Sequence, residues 1–164
     1  MVIGIVSDTH GKAGRLRQAL AVLVERGARA IVHCGDIGST ECLTALAEAG
    51  LPAYAVVGNM DRHLDRLAAE ARRTGVVLSF DTILLPLSDG TYLAATHGQD
   101  AAALAQLIGA GRFRYVCHGH THRVRDERVG ACRVINPGAL HFARPMTVAV
   151  LDTDADTVEH IEIR

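Results

Sequence analysis

Five short apolar runs in this chain each stop at a knot of polar residues. Val2–Val6 leads into Ser7-Asp8-Thr9-His10, and Ala30–Val32 into His33-Cys34-Gly35-Asp36. Ala53–Val57 leads into Gly58-Asn59-Met60-Asp61, Tyr92–Ala95 into Thr96-His97-Gly98, and Tyr115–Cys117 into His118-Gly119-His120-Thr121-His122. Brief, β-branched runs bounded by glycine read as buried strands. Apolar residues between the first runs recur at helical spacing instead. Leu16, Ala19, Leu20, Leu23 and Val24 predict a helix from Ala13 to Arg26, closed by Gly27. A second helix is predicted from an N-cap at Ser39 to Gly50, with Glu41 in its first turn, and a third from about Arg62 to Arg73. Alternating strands and helices with right-handed crossovers give a parallel sheet covered by helices. Ligands of such sheets gather beyond the carboxyl ends of the strands, where all five knots fall.

The second half reads differently. Val76–Ser79, Thr82–Leu85 and Thr91–Thr96 are short and extended, with a turn at Ser88-Asp89-Gly90. One helix is predicted at about Ala101–Ala110. Val124–Val129, Cys132–Ile135, Thr147–Leu151 and Val158–Ile163 then read as antiparallel strands. The expected architecture is α/β: two packed, mixed β-sheets flanked by helices. No linker, repeat or low-complexity stretch divides the chain, so residues 1–164 are read as a single domain.

The polar knots hold metal-ligand chemistry. Asp8 and His10 stand two apart just past a strand, and Gly35-Asp36 offers a carboxylate on a tight turn. Gly58-Asn59 offers an amide oxygen, His97 one imidazole, and His120 and His122 two more. Two carboxylates, one amide and four imidazoles exceed what one tetrahedral zinc ion uses and suit two divalent ions sharing a carboxylate. The mixed oxygen and nitrogen donors favour manganese, nickel, iron, zinc or cobalt over magnesium or calcium. Asp61, Thr9, Thr96 and Thr121 are candidates to orient the ligand imidazoles, and His33 and His118 read as packing or supporting groups. His63, His141 and His160 read as loop or surface histidines, and Arg144-Pro145 as either a phosphate contact or a surface loop. Cys34, Cys42, Cys117 and Cys132 form no CxxC pair and read as buried free thiols, which suits a reducing compartment.

The net charge of −1 gives no broad attraction to nucleic acid or to an anionic membrane. Three Phe, three Tyr and no Trp supply little surface for stacking an extended strand, so a nuclease is disfavoured. No apolar stretch is long enough to span a bilayer, and the chain enters a strand with no basic leader or cleavage pattern before it. The expectation is a cytoplasmic protein that does not engage a membrane.

Taken in order, Asp8-x-His10, Gly35-Asp36, Gly58-Asn59, His97-Gly98 and Gly119-His120-Thr121-His122 resemble the calcineurin-like metallophosphoesterase superfamily. The short length, the DTHG run from Asp8 to Gly11 and the late Asn136-Pro137-Gly138 are similar to its small bacterial and archaeal phosphodiesterase branch, the YfcE/MJ0936-like group. The resemblance covers essentially the whole chain. It implies that Asp8, His10 and His122 hold a first metal, that Asn59, His97 and His120 hold a second, and that Asp36 bridges them. Asp36, Asn59 and His97 are then the catalytic residues, with manganese the expected metal. The implied reaction is in-line attack on phosphorus by a hydroxide held between the ions. The resemblance also implies a homodimer or higher homo-oligomer. Many members carry a histidine after the Gly-Asn pair; here the position is Met60, which has no proton to give. That departure favours small phosphodiesters with good leaving groups. A phosphomonoesterase or nucleotide phosphatase is the alternative enzyme, and a non-catalytic scaffold on the same fold is the alternative outside enzymology.

Overall fold

A computed structural model describes residues 1–164 and resolves the strand runs into two sheets. The elements are β1 (Val2–Val6), α1 (Ala13–Glu25), β2 (Ala30–His33), α2 (Thr40–Glu48), β3 (Ala53–Val56), α3 (Leu64–Thr74), β4 (Val77–Ser79) and β5 (Thr82–Pro86). They continue with β6 (Tyr92–Thr96), α4 (Ala101–Gly109), β7 (Tyr115–Cys117), β8 (Val124–Val129), β9 (Cys132–Pro137), β10 (Met146–Asp152) and β11 (Thr157–Ile163). The first sheet runs β11-β10-β1-β2-β3-β4 and the second β5-β6-β7-β9-β8.

Strands β1 to β4 are parallel, as the strand–helix alternation predicts, and β10 and β11 extend that sheet with antiparallel pairs. Strands β1, β2, β3 and β10 are buried on both faces, which explains their nearly unbroken apolar sequence. Ile3, Ile5, Ala30, Val32 and Val56 face the second sheet and meet Ile83, Leu85, Leu93, Tyr115 and Ile135. On the other face, Ile31, Ala55 and Val148 pack under Leu16, Leu20 and Leu23 of α1, Leu43 and Leu46 of α2, and Leu67 of α3. Helix α4 covers the far side of the second sheet, setting Leu104 against Ala94, Val116 and Val134. The layers are therefore helix, sheet, sheet, helix. No helix is long and apolar enough to cross a membrane. All four cysteines are buried free thiols.

The late strands pair antiparallel with one another, β8 with β9 and β10 with β11, while β9 also lies parallel to β7. Strand β7 runs toward the polar knots, the loop after it turns there, β8 runs away, and the turn at Gly130 sends β9 back antiparallel to β8. The return direction is thus that of β7, and it delivers Asn136 to the same end of the sheet. Helix α3 starts at Leu64 rather than near Arg62, because His63 takes a left-handed backbone conformation (φ 52°) that the helix cannot include.

Candidate active site

The strands of both sheets deliver their polar knots to one edge of the sandwich. Main-chain hydrogen bonds stitch the loops together there: the Asp8 N–H donates to the Gly35 carbonyl (3.0 Å), His10 to Asp36 (2.9 Å) and Gly119 to His97 (3.0 Å). Asp8, His10, Asp36, His120 and His122 all have positive φ, between 45° and 65°. A non-glycine residue there costs about 1–3 kcal/mol, and such strain concentrates at functional sites. Close approach of the loops also requires glycine, most directly at Gly58 and Gly119. A Cβ on Gly58 would lie 2.1 Å from Asp36 Oδ1, and one on Gly119 would lie 1.9 Å from Ser7 Oγ.

All seven residues singled out from the sequence reach this edge, and two groups of them converge. In the first, Asp8 Oδ1 lies 3.1 Å from His122 Nε2 and 3.9 Å from His10 Nε2, which is itself 3.7 Å from Asp36 Oδ2. In the second, His97 Nε2 lies 3.4 Å from Asp36 Oδ2 and 3.0 Å from Asn59 Oδ1, and His120 Nδ1 is 3.1 Å from the same amide oxygen. Asp36 touches both.

The hydrogen bonds behind these atoms decide what they can be. His97 donates its Nδ1 proton to the Cys34 carbonyl (2.8 Å), so the neutral ring turns an Nε2 lone pair toward two oxygens that also carry lone pairs. Asp8 Oδ2 is held by the Ser7 hydroxyl (2.5 Å) and the His120 N–H (3.2 Å). Its other oxygen, Oδ1, and His10 Nε2 are buried and form no hydrogen bond at all; His122 is near Oδ1 but off the line of one. Electron-pair donors facing one another without protons, buried and without partners, form a ligand set for a cation. Asp8, His10 and His122, and separately Asp8, Asp36 and His97, offer ligand atoms within 4.8 Å of one another.

Electrostatics sharpen the picture. Burial raises the Asp8 pKa above the usual carboxylate value. Burial also works against charge on Asp36, but the neighbouring His97 imidazole and a hydrogen bond from the Met60 N–H outweigh it and hold its pKa below normal. His97 is desolvated too, yet Asp36 and the Cys34 carbonyl raise its pKa overall. The site attracts positive charge, whether proton or metal.

The supporting groups differ in part from expectation. Asp61 orients no imidazole. It accepts hydrogen bonds from the main-chain N–H groups of Gly58 (2.8 Å), Ile37 (3.2 Å) and Gly38 (2.6 Å), and so locks the Asp36 loop to the Asn59 loop. Thr9 donates to the Ile37 carbonyl (2.9 Å) and accepts from His33 Nε2 (2.9 Å), while His33 Nδ1 accepts from the Gly35 N–H (3.2 Å). This uncharged His33 is wholly buried, and burial pushes its pKa down to about 3. Asn136 was legible only as part of a turn, yet its amide donates to the Gly119 carbonyl (2.8 Å) and Thr121 Oγ1 (3.1 Å) and braces the His120 loop. His160 is half-buried rather than exposed, because its Nε2 donates to the Asn136 carbonyl (2.9 Å) across the strands. His63 is an exposed loop residue, as read. His141 lies closer to the chemistry than a loop histidine would, its ring 5.8 Å from that of His10.

A sandwich of mixed sheets with Asp, Asn and His gathered at the strand ends offers a ligand set suited to divalent cations. The model of the calcineurin-like phosphoesterase superfamily domain matches residues 1–156, and the chain belongs to that superfamily. It is 28% identical over 156 residues to phosphodiesterase MJ0936 of Methanocaldococcus jannaschii, covering 94% of each chain. Its fold superposes on the structure of an archaeal phosphodiesterase with a TM-score of 0.90 at 28% identity, over 99% of both chains. The phosphoesterase YfcE from E. coli shares the fold over the whole of both chains, at a TM-score of 0.68 and 19% identity. The chain is thus similar over nearly its whole length to small phosphoesterases of this superfamily.

Proposed function

We propose that this chain is a dinuclear-metal phosphodiesterase acting on a small phosphodiester. The observation that carries the reading is the convergence of carboxylate, amide and imidazole donors in two groups that share Asp36, with Asp8 Oδ1 and His10 Nε2 buried and without a hydrogen-bond partner. Asp8, His10 and His122 would hold one divalent ion and Asn59, His97 and His120 the other, with Asp36 common to both. Manganese is the first candidate, and nickel, iron, zinc and cobalt suit the same donors. When bound, such ions make water acidic enough to attack near neutral pH and neutralise charge on the phosphate oxygens.

The chain's own residues do the rest. The His97 imidazole and the Met60 N–H, which donates to Oδ1 at 2.8 Å, together lower the Asp36 pKa and favour its charged form. The Cys34 carbonyl fixes the His97 tautomer, so that Nε2 keeps its lone pair. Asp61 holds the Asp36 and Asn59 loops in register. The oxygen of water is added to phosphorus, the bond to the leaving oxygen breaks, and the released proton goes to solvent. Met60 is half exposed where an acid would stand and donates no proton from its side chain. The loss of a general acid costs roughly 10²–10⁴-fold with a poor leaving group. The reading therefore favours activated diesters over alkyl monoesters.

The test is hydrolysis of bis-p-nitrophenyl phosphate and p-nitrophenyl phosphate by metal-stripped protein, with manganese, nickel, zinc or magnesium added back. Metal-dependent turnover that favours the diester is expected. Equal or faster turnover of the monoester would shift the assignment to a phosphomonoesterase. No turnover by folded protein with any ion would favour a scaffold.

A further inference from the structure

Three phenylalanines argue against an extended stacking surface, yet one of them stands at the rim of this site. Phe142 is 75% exposed, at a position where an apolar ring gains nothing from burial. Its backbone is left-handed (φ 52°), a conformation that costs stability in any bulky residue. Its ring centroid lies 3.8 Å from that of His141 and 5.4 Å, edge on, from that of His10. Its carbonyl faces His122 Nδ1 at 3.5 Å. A strained loop thus carries an exposed aromatic ring to the side of two candidate metal ligands.

The surroundings are concave and cationic. Phe142 separates two clefts, one of about 640 Å³ with Arg15 and His141 on its wall and one of about 460 Å³ that begins at His122. Arg144 lines both clefts, and Arg123 the second. The ion pairs nearby join Arg125 to Glu127 and Arg128 to Asp156, leaving Arg123 and Arg144 without a carboxylate. Each cleft has the volume of a small-molecule site.

We propose that His141–Arg144 forms a subsite for the nucleobase of a nucleoside-bearing phosphodiester, with Phe142 as its stacking platform. The proposal rests on the phosphodiesterase reading, since it places the nucleoside half of the substrate beside the first group of ligands. Aromatic rings beside arginines take bases by stacking on the π-face, while guanidinium N–H groups meet the ring nitrogens and carbonyl oxygens. A plain aryl group offers no such acceptors.

Three substrates with the same leaving group test this: the p-nitrophenyl diesters of thymidine 5′-phosphate, benzyl phosphate and methyl phosphate. The wild type is expected to favour the thymidine ester over the methyl ester by about tenfold in kcat/KM, within the roughly 5- to 150-fold that stacking on one aromatic ring is worth. The F142A variant is expected to lose that preference, and F142W to keep it. A preference unchanged in F142A overturns the proposal, and a benzyl ester hydrolysed as fast as the thymidine ester overturns the nucleobase assignment. Calorimetry on the manganese-loaded protein separates the two readings. Adenosine monophosphate binding tighter than ribose 5-phosphate, and only with Phe142 or Trp at the position, supports the subsite even if no ester is hydrolysed. Equal binding of the two ligands refutes it even if esters are hydrolysed.

Discussion

Replacing Asp61 with alanine removes the carboxylate that three main-chain N–H groups share, those of Gly58, Ile37 and Gly38. Asp61 is only 7% exposed, so water does not readily take its place. A buried donor left without a partner costs about 1–3 kcal/mol. The Gly58 and Ile37 bonds are buried, whereas the Gly38 bond is partly exposed and open to solvent. D61A should therefore lose about 2–6 kcal/mol of stability. D61N keeps one oxygen for Gly58 and Ile37 but turns an NH2 group toward Gly38, so it should lose about 1–2 kcal/mol. The assay is urea unfolding of the metal-stripped proteins at neutral pH, read as a shift in midpoint at constant slope. Because Asp61 ties the Asp36 loop to the Asn59 loop, manganese affinity should also fall by about 10–100-fold in D61A. A D61A protein within about 0.5 kcal/mol of the wild type, a difference typical of plain surface substitutions, with unchanged manganese affinity, would refute the idea that this carboxylate assembles the site.

Three further outcomes are expected. Buried, neutral His33 has its pKa pushed down to about 3, so below its unfolded value of about 6.5 the unfolded chain holds a proton there that the folded chain lacks. Its contribution to stability is present above that pH and falls by about 1.4 kcal/mol per unit as the pH drops toward 3; the pH slope of the unfolding free energy from urea titrations should be flatter by that amount in H33Q, and an equal slope would contradict it. The G119A variant forces a methyl group to within 1.9 Å of Ser7 Oγ and 2.7 Å of Asp8 Oδ2, and should lower both the melting temperature and the manganese affinity. Thermal melts and metal titration check this. D36N keeps the shape of the side chain but removes the charge shared by both groups of ligands; far-ultraviolet circular dichroism should be unchanged while diester hydrolysis drops by at least about 10²-fold, the scale of losing one electrostatic stabiliser.

The parallel half of the fold was legible because β1, β2 and β3 are buried on both faces and each helix on one, so hydrophobic periodicity carries the signal. The candidate ligands were legible for a related reason. A parallel sheet sends every carboxyl end to the same edge, so Asp8, Asp36 and Asn59 had to be neighbours once β1 to β3 were recognised. That β9 lies beside β7 was not legible, because a short apolar run has the same pattern whichever strand it pairs with. Asp61 lies two residues from Asn59, which suggested imidazole contact; its actual partners are main-chain N–H groups, which leave no mark in side-chain sequence. Composition could not reveal the Phe142 platform either, since one aromatic ring at the right rim matters more than how many the chain contains. The His160 contact depends on β11 lying at the sheet edge near Asn136, a neighbourhood that exists only in three dimensions.

The central claim is that two divalent ions share Asp36 at this edge. Crystals grown with manganese, measured at wavelengths on either side of the manganese absorption edge, test it most directly. The account predicts two anomalous peaks per chain, about 3.5–4 Å apart, both in contact with Asp36, with Asp8, His10 and His122 around one and Asn59, His97 and His120 around the other. A single peak, or two peaks of which Asp36 touches only one, would contradict it.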